Sequence, residues 1–242
     1  MSFDPTVFWS ALTSQGLRDG AITAIALTVI AQFTAVFIGL GLAMLRQSRF
    51  RLLRGIAWTY IWIFRAVPTL VQLLFFWNAL PQLIPSLRED WFSPFAAAWL
   101  ALSLNEGAYM AEILRGGLLS VDEGQHTAAR ALGMSPWSVL RKVILPQVVR
   151  VTIPPTVNEF ITMLKITSLA YAISLREMLA YTQQQISVTF KFAEFYAAAA
   201  IYYLVIVSVL MALQAVIERR FRWTSQQGEQ RGLLATVRAI GR

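Results

Sequence analysis

Long apolar runs, each closed by cations, constrain this chain more than any other feature. The first covers residues 20–45 and is followed by Arg46, Arg49, Arg51 and Arg54; the last covers 195–217 and is followed by Arg219, Arg220 and Arg222. About 20 apolar residues in a helix cross the hydrocarbon core of a bilayer. A backbone in lipid must satisfy its own hydrogen bonds, which favours helices. Three more runs fit this template, at 66–84, 95–119 and 151–173. The stretch 56–84 is too long for one crossing. Arg65 and Pro68 place the cut, with the Trp- and Tyr-rich 56–64 in the interface and Arg65 at headgroup level. The expectation is an all-α integral membrane protein with five transmembrane helices. They form one domain over 1–222, with 223–242 as a cytoplasmic tail and 1–19 as an outer, interfacial segment.

Sixteen of the 21 Lys and Arg fall on one side of that arrangement. Cytoplasmic segments carry such an excess, so the N-terminus is expected outside and the C-terminus inside. The same asymmetry accounts for the net charge of +8 without nucleic acid. Only 14% of residues are charged, against roughly 25% in soluble domains. There is no Cys and a single His, His126, so neither a disulfide framework nor a Cys- or His-cluster metal site is expected. Residues 1–9 lack a positive n-region and a small-residue cleavage site, so no removable signal peptide is expected. No phosphate-binding GxxxxGK[ST], HExxH or GxSxG motif occurs, and enzyme chemistry is not expected.

Four ionisable residues fall inside the expected spans: Glu106, Glu112, Glu159 and Lys165. A charge at the bilayer centre costs at least ~2.5 kcal/mol, so each needs a partner or water. Glu112 has Arg115 three residues on, a structural pair. Glu106 and Glu159 reach a similar depth. Two carboxylates at one level can flank a cationic group such as an amino acid's ammonium, or each can accept hydrogen bonds from helix ends and hydroxyls. Lys165 points to a different helix face from Glu159. It suits a substrate carboxylate and a loop carbonyl equally. Gln72, Thr162 and Ser168 complete the candidate substrate-binding set, with Asn78 beside them. Each is more often an interhelical hydrogen bond than a ligand contact.

Between the third and fourth runs the chain is too polar for lipid and too regular for a loose link. Thr127 to Leu132 are followed by Gly133, the residue most often found just past a helix end. Ser135 and Pro136 make an N-cap and first-turn pair. The second helix, 137–143, is expected to bring Trp137, Leu140 and Ile144 onto one face, with Arg141 and Lys142 off it. Two short helices meeting at a Gly corner suit docking into a groove on another protein.

Ala128-Ala129, Gly133 and the downstream Leu145-Pro146 resemble the EAA loop of ABC-importer permeases. Three further stretches resemble the polar amino acid branch (histidine, glutamine, glutamate and arginine types). They are Arg65 to Leu73, Gly107 to Gly117, and Asn158 to Ile161 with Lys165 to Leu169. The resemblance covers roughly residues 15 to 222, with the motifs in the family's order. Thr127 stands where the family has the Glu that names the loop, and Ile166 where it often has an acidic or polar residue.

The resemblance implies a type I ABC-importer permease fold with a cytoplasmic coupling-helix pair in the loop 120–147. The coupling set is Thr127, Ala128, Ala129, Arg130, Gly133, Met134, Ser135 and Pro146. It implies two ATP-binding subunits, a second permease subunit (identical or homologous), and a periplasmic or extracellular solute-binding protein. It also implies a bacterial inner membrane location. No cofactor belongs to this chain; ATP and Mg sit in the partner subunit, which does the hydrolysis. The expected function is import of an amino acid or derivative by alternating access. The runner-up is an ion-coupled carrier or cation channel using Glu106 and Glu159 without an ATPase. A third reading makes the chain a scaffold whose own half-pathway binds no substrate.

Overall fold

The computed structural model describes residues 3–221, and every regular element among them is helical. The tail expected at 223–242 lies outside the described residues. Helix α1 (Pro5–Leu12) starts on Asp4, whose carboxylate accepts from the Thr6 and Val7 amides. Lys191 Nζ lies 3.6 Å from the same carboxylate, and Glu194 accepts the Asp4 N–H at 2.8 Å. These bonds tie α1 to the start of α11 (Phe192–Phe221).

Helix α2 (Gln15–Arg46) begins on a Ser14 cap and runs parallel to α6 (Pro94–Leu119). The pair is close because its seam is small. Ala31, Ala35, Gly39 and Ala43 recur every four residues on α2 and are buried; Ala31 clusters with Ala97, Ala98 and Ala101, Ala35 lies against Gly107, and Gly39 against Met110 and Ala111. Small residues let backbones approach where lipid supplies no hydrophobic drive between helices.

Helix α3 (Arg51–Ala66) buries Ala57 and Ile61, and Tyr60 Oη donates to the Leu104 carbonyl of α6 at 2.8 Å. It ends where it must. Pro68 has no N–H, and Val67 before it is pushed to an extended conformation. The chain then turns by 103° into α4 (Thr69–Leu74), a π-helical turn (Phe75–Ala79) and α5 (Leu80–Leu83). The freed carbonyls are not left bare. Gln72 Nε2 donates to the Phe64 and Val67 carbonyls at 2.9 and 2.8 Å, and Asn105 Nδ2 to Phe64 at 2.9 Å.

Residues 56–64 form the body of a helix packed on α6. Arg65 sits over the Tyr109 ring, 5.3 Å from guanidinium carbon to ring centroid. Tyr109 is ten residues short of the end of α6, about 15 Å.

The chain continues through α7 (Glu123–Ala131), α8 (Pro136–Val139), a π-helical turn (Leu140–Ile144) and α9 (Leu145–Ile166). A 3-10 segment (Thr167–Ile173), α10 (Met178–Thr189) and α11 (Phe192–Phe221) complete it. The short second helix expected at 137–143 is therefore not separate. It is the first part of an unbroken rod from Pro136 to Ile166, and Pro154 and Pro155 lie inside that rod instead of near its start. Among the described residues, α2 and α11 are each long and apolar enough to cross a membrane. The bent pair beginning at α3 is a third if taken as one span.

Glu177 is fully buried at the N-terminus of α10. Its carboxylate accepts from the Leu179 and Ala180 amides at 2.8 and 2.7 Å, and Tyr203 Oη donates to it at 3.2 Å. Burial outweighs these bonds and pushes its pKa up to about 7. A raised carboxyl pKa gives a stability contribution that is full below the ordinary glutamate value and lost as pH rises through about 7. The purified protein is thus expected to melt at falling temperature from about pH 5 to pH 8, and Glu177→Gln to flatten that slope. Identical pH profiles for the two proteins in a thermal melt would remove Glu177 as the titrating group.

Candidate translocation and coupling sites

Helix α6 packs against α2, α3 and α9. Tyr109 and Glu112 are half-buried on it. Arg46, Trp58, Trp62, Arg65, Tyr109 and Glu112 line a cavity of about 450 Å³. Glu112 is held by Arg115 Nη2 at 2.6 Å, the pair anticipated from their spacing.

Deeper in, Glu106 is buried, and its Oε1 has no hydrogen-bond partner among the described residues. Glu159, half-buried on α9, interacts electrostatically with Glu106 and with Arg65.

The other candidate residues are placed differently. Gln72 is buried and spent on the α3 break, where it also accepts from Asn105 Nδ2 at 3.2 Å. Asn78 donates to the Leu74 carbonyl. Lys165 is exposed about 9 Å further along α9 than Glu159. Ser168 donates to the Lys165 carbonyl at 2.7 Å, and Thr162 is half-buried. Arg65 was missing from the candidate set. Its signal was an isolated cation three residues before a proline, with both neighbours apolar.

The coupling corner is built by local rules. Asp122 caps α7 by accepting the Gly124 N–H. At the other end the Met134 N–H reaches the Ala129 carbonyl at 3.2 Å and the Gly133 N–H the Arg130 carbonyl at 2.9 Å. This is a Schellman ending, which needs a left-handed residue, and Gly133 has φ +76°. Ser135 then caps α8. Ala129, Val139, Ile144 and Val148 form a small buried cluster with Met134 against it.

The face expected on the second helix is corrected here. Ile144 packs inward, but Trp137 is 67% exposed and Leu140 is also outside, with Val139 taking the buried position. Leu132, 82% exposed, joins Trp137 at the surface of the corner. Thr127 and Arg130 are exposed beside Ala128, and Pro146 is exposed at the start of α9. Thr127 Oγ1 bonds only back to the Glu123 carbonyl of its own helix among the bonds described.

Residues 35–223 match the family model described as the binding-protein-dependent transport system inner membrane component. The chain belongs to this family. The permease is 40% identical over 237 residues to the arginine transport system permease protein ArgU of Corynebacterium glutamicum, covering 93% of this chain and 73% of that one. It is 35% identical over 222 residues to the glutamine transport system permease protein GlnP of Escherichia coli, covering 92% and 99%. Among solved structures it is similar to a chain of an amino acid ABC transporter crystallised with histidines. That match has TM-score 0.80 and 34% identity, and covers 91% of the permease and all of that chain. These findings support the importer reading over an ion-coupled carrier, and the type I permease fold with it.

Proposed function

We propose that the permease is one half of the membrane channel of an ATP-driven importer for an amino acid or close derivative. The observation that carries this reading is the electrostatic interaction of Glu159 with both Glu106 and Arg65, the last of which lines the cavity beside α6. An amino acid presents an ammonium and a carboxylate a few ångströms apart. Two carboxylates facing a guanidinium complement both, in a setting where charges are weakly screened. The named substrates of the relatives, arginine and glutamine, are of this class.

The assembly we infer has five spans, with the N-terminus outside and the C-terminus inside the bacterial inner membrane. Two ATP-binding subunits hold ATP and Mg, and a second permease subunit, identical or homologous, completes the pathway. A solute-binding protein delivers substrate outside. The corner formed by Thr127, Ala128, Ala129, Arg130, Gly133, Met134 and Ser135 sits in a cleft of the ATP-binding subunit, with Pro146 behind it. Dimer closure of those subunits must favour one permease state by several kcal/mol to shift its population decisively.

Glu159→Gln tests the substrate contact. With the complex reconstituted in vesicles, the KM for uptake should rise about tenfold, the scale of losing one charge-assisted contact. Unchanged uptake kinetics would favour a scaffold role for this half of the pathway. Absence of a nucleotide-binding subunit when the permease is purified from its native membrane would remove the importer reading.

A further inference from the structure

The cavity beside α6 holds more positive charge than the mechanism above uses. Arg46 from the end of α2 and Arg65 from α3 line it with the single carboxylate of Glu112, and both act on that carboxylate electrostatically together with Arg115 of α6. Arg115 takes that carboxylate at 2.6 Å. Arg65 is stacked on Tyr109 and shared electrostatically with Glu159. Arg46 is left over. Its Nε is buried and has no hydrogen-bond partner among the described residues. A buried guanidinium donor without an acceptor is costly, and the surplus of cations calls for an anion. The neighbouring wall is aromatic. Trp58 and Trp62 stack with their planes 1° apart and their centroids 6.0 Å apart, beside Ile61. An oxyanion carrying a short organic body fits both walls.

We propose that this cavity is a second amino-acid station, an exit site that takes the leaving substrate's carboxylate on Arg46 and its side chain against Trp58 and Trp62. Glu112 lies six residues beyond Glu106 on α6, about 9 Å nearer the coupling corner, so the two stations are consecutive, with Arg65 common to both. The inference rests on the amino-acid reading of the permease. Its consequence is product inhibition from inside. A filled exit station holds the pathway against the next substrate, and Arg46 sets how much internal amino acid is needed.

The test uses the whole complex, with binding protein, in sealed vesicles loaded with ATP. L-Arginine or L-glutamine, whichever the complex imports, is preloaded inside at graded concentrations while initial uptake is measured. Wild-type uptake should fall as the internal amino acid rises. Arg46→Gln should need about tenfold more of it for the same inhibition, with the external KM within about twofold of wild type. Arg46→Lys, which keeps the charge, should recover part of the sensitivity. Elution of each variant complex as a single species with unchanged melting temperature separates a binding effect from misassembly. Wild-type uptake indifferent to internal amino acid overturns the station alone. So does Arg46→Gln with unshifted inhibition, or with the external KM and the inhibition shifted together. Failure of the wild-type complex to import any amino acid overturns the parent reading and the station with it.

Discussion

A Gly133→Trp permease is expected to fold, insert and import almost nothing. Gly133 has a left-handed backbone, which costs a side-chain-bearing residue ~1–2 kcal/mol. A Cβ there meets no atom within 4 Å in the isolated chain, so the first atom of the side chain adds no clash to that backbone cost. The indole instead projects from the corner between α7 and α8, beside exposed Leu132 and Trp137, where the ATP-binding subunit is proposed to grip. Losing a central interface contact costs ~2–4 kcal/mol, so uptake should drop by ~100-fold or more. Basal ATP hydrolysis by the partner should persist while its stimulation by loaded binding protein disappears. Gly133→Ala carries the backbone cost without the bulk and should retain most of the uptake. Reconstituted vesicles assayed for both activities decide the matter. Normal uptake with normal stimulation in the Trp variant contradicts the docking role.

Gly20→Val is expected to be the most damaging single change to the fold. A Cβ at Gly20 would lie 2.6 Å from the Met178 nitrogen and 2.7 Å from the Glu177 carbonyl carbon. Both are backbone atoms at the capped start of α10, so neither can rotate away. Overpacking of this kind costs ~1–3 kcal/mol, and more where backbone must move. It also disturbs the buried Glu177 cap, whose acceptors would lose their donors in a dry site. Yield of monodisperse protein in detergent should fall several-fold, and the melting temperature with it. Gly41→Val is the control on the same helix, since nothing lies within 4 Å of its Cβ. Equal melting temperatures for the two variants would refute the close approach of α2 and α10.

What could be read from residue order follows from which forces are local. The Gly133 ending of α7 and the Ser135 cap of α8 were legible because both are satisfied within six residues. The Glu112–Arg115 pair was legible for the same reason. The long helices were legible from composition. The bend after α3 was only half legible. Pro68 marked the place, but the angle is held by Gln72 and Asn105, the second of which is 41 residues from the carbonyl it caps. Gln72 reads from sequence as an interhelical hydrogen bond more readily than a ligand contact, and its amide is spent on backbone. The stacking of Arg65 on Tyr109 comes from packing of α3 on α6, which no local pattern encodes. The face of the second helix was partly legible, since Trp137 and Leu140 are exposed while Ile144, at the end of a π-helical turn, is buried.

The unbroken run from Pro136 to Ile166 has a mechanical meaning. Trp137 at one end and Glu159 near the other are separated by 22 residues of helix, a lever of about 33 Å. A swing of roughly 5° about the Trp137 end would carry the Glu159 carboxylate sideways by roughly 3 Å, enough to bring it to or from a bound ammonium. The soft joints are the wide turn at Leu140–Ile144 and the Pro154–Pro155 pair inside α9. Stiffness at these two places would decide whether the stroke of the ATP-binding subunits is delivered to the substrate or absorbed along the way.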